Sequence, residues 1–239
     1  MRGVLWIWGK FVNLQSKSIT MAISNYKKTI GLGMLILFTL FLINVIFGYI
    51  PITPNSVWFN VREWWFPLSQ FLQFTVVLFV AYNPNSQSSI ISKIGAVLYS
   101  LLMLIYISNR ICFYINGSYI VYYEGVFEYI NAFLLFAPGV LLFVWGLCKL
   151  WLPIKIATSI SVAVSLIIDV IWAKLVPMYK DMADFSYEQS EKIETLQNAV
   201  DILSNINAII IIVLVILTIA WLSMKQKVPS VQTNNIDII

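Results

Sequence analysis

No histidine occurs anywhere in the 239 residues, and there are only two cysteines, Cys112 and Cys148. Without histidine the chain lacks the most common general base at neutral pH and the usual haem ligand. Two cysteines with no histidine form no zinc-binding pattern. HExxH, GxSxG and Walker A sequences are missing too, and no Ser–His or Cys–His pair can be formed. Asp169 and Glu128 could meet as paired carboxylates, but their flanks resemble no intramembrane protease. The expectation is therefore a non-enzymatic protein with no cofactor and no metal. Charge is scarce as well, at 11% of residues, where a soluble domain carries roughly 25%.

In place of charge there are long apolar runs. The composition is 60% hydrophobic and the mean hydropathy is +0.84. No stretch between the runs is long enough for a soluble domain, which predicts an all-α, polytopic transmembrane helix bundle with the lipid bilayer as its solvent. About six spans are expected, over 30–50, 67–82, 94–114, 127–148, 156–176 and 208–222. Pro51 and Pro54 stop the first, Asn83-Pro84-Asn85-Ser86 ends the second, and Asn116-Gly117-Ser118 follows the third. Pro138 lies within the fourth, and Pro177 closes the fifth. The second run is short, so its helix is expected to begin in the aromatic belt of Trp58, Trp64, Trp65 and Phe66, with Pro67 in its first turns. There is no internal repeat, and small residues show no GxxxG spacing.

Residues 1–29 carry Arg2, Lys10, Lys17, Lys27 and Lys28 and no acid, beside Trp6, Trp8 and Phe11. Too short to span and lacking the apolar core of a signal peptide, this leader reads as an amphipathic helix lying in the membrane interface. The six-span domain would occupy 30–224 and a short tail 225–239.

The remaining basic residues orient the chain. With the leader inside, Lys93, Lys149, Lys155, Lys225 and Lys227 join its five cations on the cytoplasmic side, against one acid, Asp237. Arg62, Arg110, Lys174, Lys180 and Lys192 fall outside with the other acids. The positive-inside rule then puts both termini in the cytoplasm, with the plasma membrane as the default location. The net charge of +4 is accounted for by this topology and calls for no nucleic acid.

Between spans five and six, Ser186 and Gln189 match a capping box, after which Ile193, Leu196, Val200 and Leu203 form one apolar stripe. No Gly or Pro follows before the sixth span. One helix over 187–221 is predicted, its first half (within about 178–206) extending outside the bilayer. The stripe is a candidate surface for another membrane protein. The acidic residues around it have no calcium-loop spacing.

Ionisable groups inside spans need a partner or a wet cavity. Asp169, Arg110, Glu128, Asn109 and Asn131 all fall at one level in the outer halves of three spans. They form a candidate intramembrane polar site or a structural pairing, such as Arg110 with Asp169 or Glu128. Asn44, Gln70 and Gln73 read as interhelical hydrogen-bonding groups.

An interfacial leader, six spans, inside termini and a helical outer element before the last span together resemble the membrane subunits of ABC-2-type exporters, including small bacteriocin-immunity permeases. That resemblance is architectural and carries over no residue. It implies a permease subunit driven by a separate ATPase, although the short connections after spans two and four leave little docking surface. The other expectation is an immunity, assembly or regulatory factor acting through its outer helix. A transport subunit would hold a polar cavity, whereas an interaction protein would be a dry bundle with its stripe exposed.

Overall fold

The computed structural model describes residues 2–49, 57–116, 131–180 and 187–224. Among these residues the secondary structure is helical, with no strand. The helices are α1 (Arg2–Tyr49), α2 (Val57–Tyr82), α3 (Ile90–Asn116), α4 (Asn131–Gly146), α5 (Leu152–Lys180) and α6 (Tyr187–Ser223). Five of them, α1, α2, α3, α5 and α6, contain segments long and apolar enough to cross a membrane. α4 is apolar but shorter, and residues 117–130 before it, Glu128 included, lie outside the described residues.

Three boundaries differ from expectation, and one helix changes geometry along its length, each for a local reason. The leader is not a helix separate from the first span. It runs without a break into the first span, because no Pro or Gly lies between Gly9 and Gly31 to interrupt the hydrogen-bond ladder. α2 starts at Val57, ahead of the aromatic belt, so Pro67 falls three turns into the helix and the apolar segment extends to Trp64–Tyr82. α5 runs through Pro177 to Lys180. In α4, residues Asn131–Phe136 adopt a π-helix that gives way to α-helix at Ala137. Pro138 explains the change, since it has no N–H for the Leu134 carbonyl and its ring crowds that carbonyl, which the wider π turn relieves.

α6 is continuous over 37 residues, roughly 55 Å, well beyond the roughly 30 Å of a hydrocarbon core. The helix spans 187–221 as predicted. The capping residue Ser186 lies outside the described residues.

Each helix packs against the next in chain order, and α1 closes the circuit against α6. The tightest seam joins α3 to α4. A methyl group at Gly95 would run into the backbone of Phe143 and stand 2.7 Å from the Gly139 carbonyl, and one at Gly139 would stand 2.8 Å from the Tyr99 nitrogen. The seam is tied by Ser92 Oγ donating to the Phe143 carbonyl at 2.9 Å and Ser89 Oγ to the Gly146 carbonyl at 2.8 Å. Small residues therefore do set a helix crossing here, spaced seven apart (Gly139 and Gly146) rather than as GxxxG. The core runs from Met34, Phe38, Val77, Leu102 and Leu214 to Ile30, Ala81, Leu147, Ile154 and Trp221 at the end of the bundle that holds Asn25 and Ser223.

At the end of the bundle that holds Asn25 and Ser223, lysines meet aromatic rings and helix ends. Lys27 donates to the Met224 carbonyl and stands 6.0 Å from the Trp221 ring. Lys155 donates to the Trp145 carbonyl at 3.3 Å and lies 5.7 Å from that ring, and Lys93 is 5.7 Å from Tyr82. Amphipathic cations beside Trp and Tyr are the pattern of a membrane–water boundary.

Candidate functional site: a polar cavity inside the bundle

In the half of the bundle away from those lysines, the helices do not close on one another. They surround a cavity of ≈ 330 Å³. α1 contributes Phe41 and Asn44; α2 contributes Gln70 and Gln73; α3 contributes Tyr99, Met103 and Tyr106. α4 adds Asn131, Ala132 and Phe136, and α5 adds Ser165 and Asp169. The spacings are those of single helix faces: 70 and 73 on α2, 99, 103 and 106 on α3, 165 and 169 on α5. A smaller, mostly apolar hollow of ≈ 70 Å³ shares Phe41, Tyr99, Phe136 and Ser165 with it and reaches Asn207 of α6.

Hydrogen bonds hold the wall in place. The Tyr99 hydroxyl donates to Gln73 Oε1 at 2.6 Å, and Trp65 Nε1 donates to Asn44 Oδ1 at 2.8 Å. Asn207 bridges two turns of α5, accepting from Ser161 Oγ at 2.7 Å and donating to Ser165 Oγ at 3.1 Å. Asn44 and Gln73 thus do link helices, as expected, while also facing the cavity. Asn131 is 6% exposed, and its Nδ2 is buried without a hydrogen-bond partner among the described residues. The π turn at its own position sets where it meets the wall.

Of the residues expected at one polar level, Asn131 and Asp169 share this wall. Asn109 is buried and Arg110 half-buried on α3; Arg110 continues the stripe of Tyr99, Met103 and Tyr106 one turn beyond the wall. Glu128 lies outside the described residues. Tyr99, Tyr106 and Ser165 are not singled out by sequence pattern. The fourfold spacing of Ser161, Ser165 and Asp169 was the available signal, since it places all three on one face of α5.

The candidate partner stripe has a different fate. Ile193 and Val200 are buried, and with Leu196 they pack against Leu175, Ile168, Ile171 and Met178 of α5. Leu203 is half-buried. Ile193 and Val200 are thus covered by α5, chiefly by Ile168, Ile171 and Leu175 within its expected span, with Met178 just past it.

A wall of amides, hydroxyls and one carboxylate in an otherwise apolar bundle can hold water or a polar solute by hydrogen bonds and charge. Among the described residues, no group of three or more Cys, Asp or Glu side chains is placed to hold a metal ion. Comparison with protein-family models, curated proteins and solved structures finds no match to this chain.

Proposed function

We propose that this chain is a multi-pass integral membrane protein that works as a non-enzymatic transport component, such as a permease subunit, with its leader and the end of α6 facing the cytoplasm. The observation that carries this reading is the ≈ 330 Å³ cavity, walled by five helices and lined with Gln70, Gln73, Asn131, Ser165 and Asp169. A dry bundle would spare itself the desolvation of such groups, so their convergence argues for a hydrated site. The orientation draws on the inner lysines and the positive-inside rule. An interaction factor acting through the outer helix has less support, because α5 covers Ile193 and Val200.

Thiol accessibility tests the reading. In a Cys112→Ser, Cys148→Ser background, single cysteines at Ser165 and Gln70, both half-buried on the cavity wall, are compared with one at Ile167, which is 50% exposed on the surface of the bundle. Membrane-impermeant thiol reagents should label positions 165 and 70 and spare 167. Failure to label either cavity position would remove the basis for a transport role. Purification from native membrane should recover an associated ATPase if the chain is a permease subunit, since no nucleotide-binding motif occurs in it.

A further inference from the structure

We propose that the cavity binds a small uncharged polyol, a solute with several hydroxyl groups and no ionised one. The inference deepens the transport reading and rests on it. Charge is the first discriminator. Asp169 is the one carboxylate among the described lining residues, and it already has an interaction within the chain, so it is not a free charge offered to a solute. None of the described lining residues is Lys or Arg. An anion would therefore face a carboxylate and no cation, and a cation would find that carboxylate already engaged. Either ion would leave water without a counter-charge, which is costly.

Hydrogen bonding is the second discriminator. Asn44, Gln70 and Ser165 are half-buried on the wall and come from three different helices. Asn44 Oδ1 accepts from Trp65 and Ser165 Oγ accepts from Asn207, which leaves the Asn44 amide nitrogen and the Ser165 hydroxyl proton with no bond among the described residues. Gln70 has none there at either amide atom. Unlike Asn131 Nδ2, these atoms are not sealed inside the protein. The wall thus offers three neutral donors and one neutral acceptor from separate directions. A hydroxyl group both donates and accepts, so a solute carrying several of them can satisfy all three helices at once. Between these groups, Phe41, Tyr106 and Phe136 present apolar surface suited to the C–H faces of a polyol. A hard metal ion would need a shell of oxygen ligands that amide and hydroxyl donors do not supply. The volume of ≈ 330 Å³ lies at the small end of ligand sites, which favours a solute of monosaccharide size.

Calorimetric titration of the full chain in lipid nanodiscs tests this with four six-carbon probes: sorbitol, its anionic relative gluconate, its protonated amine glucamine, and hexanediol. Sorbitol should bind saturably. Gluconate and glucamine should each bind at least about tenfold more weakly because the wall compensates neither charge. Hexanediol, with too few hydroxyls to reach three helices, should be weaker by a similar factor. Gln70→Leu should weaken sorbitol binding by about tenfold, whereas Ile209→Ala, at a position 61% exposed on the bundle surface, should leave it unchanged. Absence of saturable sorbitol binding, or binding of gluconate, glucamine or hexanediol as tight as that of sorbitol, would overturn the proposal. The probe series on the unaltered protein is decisive even if Gln70→Leu does not fold. Failure here with positions 165 and 70 still labelled by thiol reagents would remove the polyol class alone, whereas loss of labelling would remove the transport reading beneath it.

Discussion

The Tyr99 hydroxyl donates to Gln73 Oε1 at 2.6 Å, so one buried hydrogen bond joins α2 to α3 in the wall of the cavity. Both side chains are at most 2% exposed. Tyr99→Phe keeps the ring and removes the donor from the buried Gln73 carbonyl. The expected cost is about 1–3 kcal/mol, read as a lowered thermal midpoint in detergent or nanodiscs.

The α3–α4 seam leads to a paired prediction. Gly95→Ala forces a methyl group into the Phe143 backbone, which cannot swing aside as a side-chain tip can. A loss of roughly 1–3 kcal/mol is expected, with a shift toward aggregate in size-exclusion profiles. Gly48→Ala in α1 is the control, since a methyl group there meets nothing within 4 Å. It should be neutral or stabilising by up to about 1 kcal/mol through helix propensity.

Lys27 ties the first helix to the last by donating to the Met224 carbonyl beside Trp221. A cation at a helix C-terminus complements the unpaired carbonyls and the macrodipole. Lys27→Met should loosen the final turn of α6 by on the order of 1 kcal/mol. Faster amide hydrogen exchange over 220–224 is the readout, and Lys27→Arg should restore most of the protection.

Leu175 is fully buried where α5 packs along the first half of α6, against Ile193 and Val200. Leu175→Ala should cost about 2–4 kcal/mol and raise protease sensitivity over 190–203. Ile202→Ala, at a position 61% exposed, should change stability by less than about 0.5 kcal/mol. Equal effects of the two variants would mean that the stripe is not packed on α5.

Much of the fold was legible because membrane helices announce themselves residue by residue. The continuity of α6 followed from an apolar run with no Gly or Pro after the stripe, and the interhelical roles of Asn44 and Gln73 from the cost of polar groups in lipid. The ends of helices were less legible. Pro177 does not stop α5 and Pro67 sits deep in α2, since a proline costs one hydrogen bond and a local clash, which neighbouring helices can offset. Of the candidate site, Asp169 and Asn131 stood out by charge and polarity, whereas Tyr99 and Ser165 resembled ordinary core residues.

Hydropathy by itself thus determined that this chain is a helical bundle suited to a membrane, because each residue's transfer cost is its own property. Only the tertiary structure decided that Gln73, Tyr99, Asn131 and Asp169, drawn from four helices, share one cavity, and that α5 covers Ile193 and Val200. Those outcomes depend on how each helix is rotated and how closely α3 and α4 approach at Gly95 and Gly139. Such quantities belong to pairs of helices and appear in no single stretch of sequence.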